Sequence, residues 1–513
     1  MQFLNTPIRA YFGFREERIV SLYEHALETQ EKWFAFLVRN GLKTRFGKDF
    51  GFTPNMSYEA FQRNVPVQNY EAIYPYIERV IIGDDYVLWN SKVEWMAKSS
   101  GTTQAKSKYI PVTNDSLKLN NYLSAKDSLT FYIELFPETD IFAGKGITLG
   151  GSIQKIEMKT KVKCGDISAV LMENMPVIGE YLKAPGKNVL LTEDWNTKLH
   201  LIAEHTVNEN ITSISGVPSW MLLVLKEVLK ISKKNSMSEV WPNLEVFFHG
   251  GVAFAPYYEE YKKIVSNSVF FMNMYNASEG FFGFQDQRFC NDMLLLSDNG
   301  VFYEFIEIDE IGVRKQKAIP LQEVELHKEY ALIITTPAGL WRYEIGDTII
   351  FTSLRPFRFQ ISGRTTHYIN AFGEELVVDN ADKAVAEACR QTNAILTEYT
   401  AAPIFIDSIE TKGKHQWLIE FSTLPDDIEK FRIVLDQTLK TLNSDYEAKR
   451  TKDLMLVAPE IKIAPEGTFL NWLAKENKLG GQYKVPRLQN DRRMIDEVQE
   501  NMSSSVLSVS SVC

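Results

Sequence analysis

A chain of 513 residues provides for two or three domains with ample core. Its 45% hydrophobic and 24% charged residues are those of an ordinary soluble globular protein, and a formal net charge of −10 argues against a nucleic-acid binder held by a broad basic face. Four scattered cysteines, Cys164, Cys290, Cys389 and Cys513, with no pair at metal-ligand spacing, argue against a disulfide framework and for reducing surroundings.

The first residues, Met1 to Pro7, lack the basic and apolar regions of a leader. The most hydrophobic helix candidate, Trp220 to Leu225, is interrupted by Lys226 and Glu227 and is too short to span a bilayer. A cytoplasmic protein with no membrane or nucleic-acid partner is the expectation.

Ile19, Leu22, Tyr23, Ala26, Trp33, Phe34 and Leu37 recur at helical spacing, which predicts an amphipathic helix over 15–39 with Gly41 as its stop. Residues 57–82 read as a shorter helix pair broken at Pro66 and Pro75. Val93 to Ala97 reads as a strand, and Tyr109 to Val112 as an extended segment in which Pro111 disfavours a helix. A helix capped by Thr113 or Asn114 follows.

Between those extended segments lies Ser99-Ser100-Gly101-Thr102-Thr103-Gln104-Ala105-Lys106-Ser107-Lys108. Hydroxyls and free backbone N–H groups can surround a polyphosphate while lysine neutralises it. A plain surface loop has the same composition, and this window alone does not decide. A Walker loop is excluded, because Ala105 stands where a second glycine is needed and the chain continues into an extended segment, not a helix. A phosphate site here is a strand–loop–strand hairpin, which sets aside the common kinase and GTPase classes.

Residues 140–260 alternate strand-like runs (146–149, 211–214, 244–248) with helices, among them 194–207 and 218–232, which favours an α/β sheet. His249-Gly250-Gly251 follows the last strand, where such sheets commonly bind ligands; the imidazole is read either as part of a turn or as a site group. A helix opened by Pro256 comes next. Then the strand Val269 to Tyr275 ends in Asn276-Ala277-Ser278-Glu279-Gly280 and reverses into Phe281 to Phe284. A polar Ser278-Glu279 tip between apolar flanks is the sort that faces a site, and the Glu279 carboxylate could bind Mg2+.

Residues 293–361 are a run of β segments. Ser297 to Gly300 is expected to turn a hairpin between 293–296 and 301–308. Gly346-Asp347, between strands, is either a plain turn or places a carboxylate against both hydroxyls of a ribose. Beyond Gly363-Arg364 the pattern changes: a helix at 380–391, strands at 402–409 and 416–422, a long helix at 426–448, and an extended run at 454–463. The glycine loop Gly480 to Arg487 carries Lys484. The Ser/Val-rich stretch after Met502 is expected to be disordered.

Taken in order, Ser99–Lys108, Tyr275-Asn276-Ala277-Ser278-Glu279, Tyr343-Glu344-Ile345-Gly346-Asp347 and Gln482-Tyr483-Lys484-Val485-Pro486-Arg487 resemble the adenylate-forming enzymes. More closely they resemble the auxin-responsive acyl-acid-amido synthetases of the Gretchen Hagen 3 family. The run from Val65 to Tyr76 is similar to that family's N-terminal region, so the likeness covers nearly the whole chain less the serine-rich tail. Two departures stand out. Ala105 replaces the family's usual glycine, and the chain is shorter than plant members, as a bacterial-type homologue would be.

The resemblance implies an α/β fold: a large N-terminal adenylate-forming domain (1–366) with mixed sheets and a β-rich part, a smaller mobile α+β domain (367–502) and a disordered tail (503–513). It implies ATP and Mg2+, and small-molecule acid and amino-acid substrates. By the same resemblance Ser99, Ser100, Gly101, Thr102, Thr103 and Lys108 would hold phosphates, with Thr103 and Lys108 in the catalytic set. Tyr275, Ser278, Asp347 and Arg364 would bind nucleotide, and Glu279 the metal. Lys484 would bridge the attacking carboxylate and the α-phosphate. The alternatives are an acyl-CoA ligase of the same superfamily and a non-catalytic nucleotide-binding homologue.

Overall fold

The computed structural model describes residues 2–99, 108–151, 153–154, 162–192, 194–251, 254–308, 317–364, 368–369, 374, 376–404, 413–443, 446–447, 450, 456–476, 478–479, 484–489 and 491–509. The chain divides into two compact units. The first comprises Met1–Gly251, Val265–Ile361 and Gly480–Gln482; the second comprises Val252–Ile264, Ser362–Leu479 and Tyr483–Cys513.

In the first unit the expected N-terminal helix is two helices, Glu16–Glu24 and Ala26–Gly41, joined at His25, which leaves helical space. Leu22, Ala26, Thr29, Gln30, Leu37 and Val38 form their buried stripe. The pair at 57–82 is Tyr58–Asn64 and Tyr70–Ile82. The break falls near Pro66 as expected, but Pro75 lies inside the second helix. A proline in a helix interior costs about 3 kcal/mol. Burial of Ile73, Ile77, Val80 and Ile81 outweighs that, at about 1.5–3 kcal/mol each.

Among the described residues of this part of the chain the strands are β1 (Trp95–Ser99), β2 (Lys108–Val112), β3 (Lys145–Thr148), β4 (Ile153–Gln154), β5 (Lys163–Gly165), β6 (Ile211–Gly216), β7 (Val246–Gly250), β8 (Phe270–Ala277), β9 (Gly280–Gln285), β10 (Met293–Leu295), β11 (Phe302–Ile308), β12 (Ile319–Pro320), β13 (Glu329–Thr335), β14 (Tyr343–Leu354) and β15 (Phe357–Arg364). A small sheet has the order β2-β1-β5-β4; the large one runs β12-β11-β13-β14-β15-β10-β9-β8-β7-β6-β3. β3, β6, β7 and β8 are parallel. The helices Trp195–Thr206 and Pro218–Ser232 lie between them in sequence, so this half is the expected α/β alternation.

The predicted 293–308 hairpin does not form. β10 pairs with β9 and β15, and β11 pairs with β12 and β13. The turn between them is held by the N-terminal helices. Asp298 accepts from Ser21 Oγ at 2.8 Å and from Trp33 Nε1 at 3.0 Å, while Gln30 Nε2 donates to the carbonyls of Ser297 and Val301 at 2.7 and 2.8 Å. Helical side chains have taken the groups a two-strand ladder would have used.

The second unit contains β16 (Tyr368–Ile369), β17 (Leu376–Val377), β18 (Ile395–Ile404), β19 (Lys414–Thr423) and β20 (Glu460–Ala464), with sheet order β18-β19-β20. The helices Val378–Thr392 and Ile428–Leu442 share a core with β18 and β19 through Ala384, Val385, Ala388, Tyr399, Trp417, Ile419, Phe431 and Leu435. β18 begins seven residues before the expected 402, and residues 405–409 and 454–455 of the expected extended runs lie outside the described residues. The long helix stops at Leu442 because Asn443 is extended. Two helices were not expected, Thr468–Lys475 and Arg493–Val509. The latter carries the Ser/Val-rich stretch as helix to Val509 where disorder was expected. It continues the turn that buries Ile495 and Val498.

Candidate active site

β1 and β2 pair antiparallel with Ser99 opposite Lys108, the extended segments expected on either side of Ser99–Lys108. Ser100, Gly101, Thr102 and Thr103 lie outside the described residues, as do the side chains of Ser99 and Arg364. Tyr70 braces the returning strand. Its hydroxyl accepts from the Tyr109 N–H at 2.8 Å, and its ring lies 5.6 Å from Lys108 Nζ. Thr113 then caps the next helix in a reciprocal box with Ser116.

Asp347 and Tyr275 are brought together. The Tyr275 hydroxyl donates to Asp347 Oδ2 at 2.6 Å, and both residues are buried. Three strands stand between β8 and β14 in the sheet order, which on a flat sheet would separate them by about 19 Å. The sheet must therefore curl to close this hydrogen bond. The curl includes a bulge: pairing jumps from Ile333–Glu344 to Ala331–Thr348. Gly346 sits in that bulge at φ +92°, so Gly346-Asp347 is a bulge within one strand and not a turn. The bulge re-aims the Asp347 carboxylate toward Tyr275.

Ser278 and Glu279 form the tight connection of β8 to β9, each only 9% exposed. Asn120 fixes this hairpin: its Oδ1 accepts from Phe281 N at 2.7 Å and its Nδ2 donates to Phe281 O at 3.0 Å. Asn120 lies in Leu117–Asn121, a π-helical turn of the kind that recurs at functional sites. No sequence signal marks it, since wide and regular helical turns share one apolar pattern. Among the described residues no three His, Cys, Asp or Glu side chains form a metal cage. The Glu279 carboxylate at this hairpin tip fits Mg2+, which is commonly held by one or two carboxylates together with substrate phosphates.

His249 is the penultimate residue of β7 and is 4% exposed. Burial depresses its pKa to about 3, so the ring is neutral across the working range. A histidine depressed on folding contributes stability that is full above its unfolded value, near 6.5, and is lost as the pH falls toward 3. Urea titrations at pH 7, 5 and 4 are expected to show the wild type losing stability more steeply than His249→Gln. Parallel losses would remove His249 from the acid response.

Lys484 is half-buried and belongs to the second unit, as does Arg364 at the end of β15.

The GH3 family N-terminal domain matches residues 15–270, its central domain 294–364 and its C-terminal domain 379–493. The indole-3-acetic acid-amido synthetase GH3.3 of Arabidopsis thaliana is 23% identical over 89% of this chain and 88% of its own. GH3.8 of Oryza sativa subsp. indica, also an indole-3-acetic acid-amido synthetase, is 23% identical over 93% and 90%. Among solved structures, GH3.15 acyl acid amido synthetase superposes with a TM-score of 0.76 at 17% identity, covering 94% of this chain and 95% of its own. A 2-hydroxyisobutyryl-CoA ligase in the postadenylation state gives 0.53 at 15% identity, over 93% and 90%. At these identities the structures establish the fold alone.

Proposed function

The chain belongs to the GH3 family, and we propose that it is an ATP-dependent acid–amino acid ligase. In the first step a carboxylate oxygen of the acid attacks the α-phosphorus of ATP. The bond to the β-phosphate oxygen breaks, giving an acyl-adenylate and pyrophosphate. In the second, an amino-acid amine attacks the acyl carbon, loses its proton, and AMP departs with the bonding pair. The observation that carries this reading is the buried Tyr275–Asp347 hydrogen bond, which fixes a carboxylate at a bulge in a chain whose family forms such ligases.

Asp347 would accept the two ribose hydroxyls, with Tyr275 and Ser278 beside the nucleotide. Thr102, Thr103 and Lys108 would hold the β- and γ-phosphates together with Ser99, Ser100 and Gly101. Mg2+ at Glu279 would offset the charge of departing pyrophosphate. Arg364 would contact ribose or phosphate. Lys484 would be carried by a mobile second unit, entering for adenylation and withdrawing for amide formation, with the hinge near Arg364–Asn370. No helix among the described residues is long and apolar enough to cross a membrane, which accords with a proposed cytoplasmic setting.

The second reading is an acyl-CoA ligase, favoured by the CoA-ligase likeness. Pyrophosphate release measured over a panel of acids separates the two when AMP formation is then followed with amino acids or with CoA. The panel includes indole-3-acetic acid and 2,4-DB, named for relatives, and 2-hydroxyisobutyrate. Acid-dependent AMP release completed by an amino acid is expected. Completion by CoA alone would establish the rival, and ATP binding with no acid-dependent pyrophosphate would leave a binding protein.

A further inference from the structure

The second unit contains an ion-pair cluster that no step above uses, three residues from Lys484. Arg487 lies in a run whose other members are conspicuously apolar, and its neighbours Val485 and Leu488 are 4% and 1% exposed. The Arg487 guanidinium is itself enclosed. Nη1 donates to Glu398 and, at 3.4 Å, to the Tyr399 carbonyl; Nη2 donates to the Tyr257 hydroxyl at 2.8 Å. Nε lies 3.9 Å from Asp382 Oδ1, and that same oxygen accepts from the Tyr399 hydroxyl at 2.6 Å. The guanidinium plane stacks on the Tyr399 ring at 4.4 Å.

The backbone on either side of this side chain is pinned as well. Thr400 Oγ1 donates to the Pro486 carbonyl at 2.7 Å, Ala401 N donates to the Arg487 carbonyl at 2.8 Å, and Gln489 N donates back to the Ala401 carbonyl at 3.0 Å. Leu488 thus makes an isolated parallel bridge to Ala401 of β18. A loop lysine ordinarily samples many backbone conformations. Here the chain becomes rigid two residues beyond Lys484, and the arginine that anchors it is fixed by two carboxylates, two aromatic rings and a hydroxyl. Burying a charge on this scale is not the cheapest way to hold a loop, because an apolar side chain of equal volume would stabilise as much or more. What a guanidinium adds is direction: its planar fork accepts partners only at set angles.

We infer that Arg487 is the positioning residue for Lys484, and that the Tyr257 hydroxyl is part of the same device. Tyr257 comes from 252–264, a segment sequentially remote from the rest of the second unit, so it supplies a fixed point that the run 484–489 does not itself provide. The inference rests on the assignment of Lys484 to adenylation.

The test measures acid-dependent pyrophosphate release and ATP binding for wild type, Tyr257→Phe, Arg487→Lys, Lys484→Ala and the double variant Arg487→Lys/Lys484→Ala. Arg487→Lys keeps the charge and loses the fork. It is expected to lower kcat by on the order of 10- to 100-fold, the range a displacement of about an ångström produces, with ATP affinity unchanged. Tyr257→Phe removes one hydroxyl and is expected to lower kcat about fivefold, the worth of one hydrogen bond. Because Arg487 acts through Lys484, the double variant should be no slower than Lys484→Ala alone. Wild-type rates in both Tyr257→Phe and Arg487→Lys, or losses that multiply in the double variant, would overturn the inference while leaving Lys484 in place. A fully active Lys484→Ala would overturn the Lys484 assignment, and this inference with it. Should thermal melting show Arg487→Lys to be unfolded, Tyr257→Phe decides: a lowered kcat in a protein of wild-type melting temperature supports positioning, and a wild-type kcat overturns it.

Discussion

Lys484→Ala is expected to slow acid-dependent pyrophosphate release by about 10²- to 10³-fold, while ATP binding stays close to that of the wild type. The magnitude is that of one preorganised group aimed at charge that develops in the transition state, roughly 3–4 kcal/mol. The binding term is spared because Asp347 and Glu279, two of the groups assigned to nucleotide and metal, belong to the first unit and Lys484 to the second. Half-burial of Lys484 adds to the expected loss, since an ammonium partly withdrawn from water is less screened than one on the surface. Single-turnover pyrophosphate release alongside ATP titration checks both parts. A mutant that releases pyrophosphate at the wild-type rate, or one that has lost ATP instead, would end the assignment.

The second large effect is on stability. Arg342→Met is expected to destabilise the first unit by about 3–5 kcal/mol, the cost of leaving a buried carboxylate without its partner. Arg342 and Glu304 are 4% and 1% exposed. Nε of Arg342 reaches both Glu304 oxygens at 3.1 and 2.9 Å, and Nη2 reaches Oε1 at 2.9 Å. Nη1 donates to the carbonyls of Gln62 and Val65 at 3.2 and 2.6 Å, and the Tyr58 hydroxyl donates to Glu304 at 2.9 Å. One guanidinium therefore joins β11 to the carbonyls that end the helix Tyr58–Asn64. Arg342 also sits at φ +45°, one residue before the strand that carries Asp347, so its loss should loosen the Gly346 bulge as well. Urea unfolding of Arg342→Met, and of Arg342→Met/Glu304→Leu, measures this. The double variant should recover part of the loss, because it removes the stranded charge. A single variant within about 1 kcal/mol of wild type would show that the pair carries little weight.

Much of this was legible in the residues, and the parts that were not share a cause. Alternation and helical periodicity report on the nearest few residues. The extended segments on either side of Ser99–Lys108, the Thr113 cap and the β8–β9 reversal at Ser278-Glu279 are local and were read correctly. The partner of β10 was not local. It depended on Gln30, Ser21 and Trp33, more than 260 residues away, taking up the groups of the Ser297–Gly300 turn. Pro75 was read as a break because its cost is local, whereas the burial that overrides it is tertiary. Gly346-Asp347 looked like a turn because Gly-Asp is a turn pair; the bulge could be seen only with β13 beside it. Arg487 did leave a trace, being a charged residue set among side chains that bury. The sequence held no sign of which carboxylates it would meet, since Asp382 and Glu398 lie far back along the chain.

The assignment of residues 252–264 to the second unit bears on how this protein can be taken apart or recombined. A fragment beginning at Ser362 would have every strand of β16–β20 yet lack Tyr257, leaving one arm of the Arg487 fork facing solvent or a void. A chimera spliced at that same joint between two relatives would pair one parent's residue 257 with the other parent's residue 487. The two halves are therefore not exchangeable cassettes. A graft that moves 252–264 together with 362–509 transfers a whole part; one that respects only the order of the chain transfers an incomplete one.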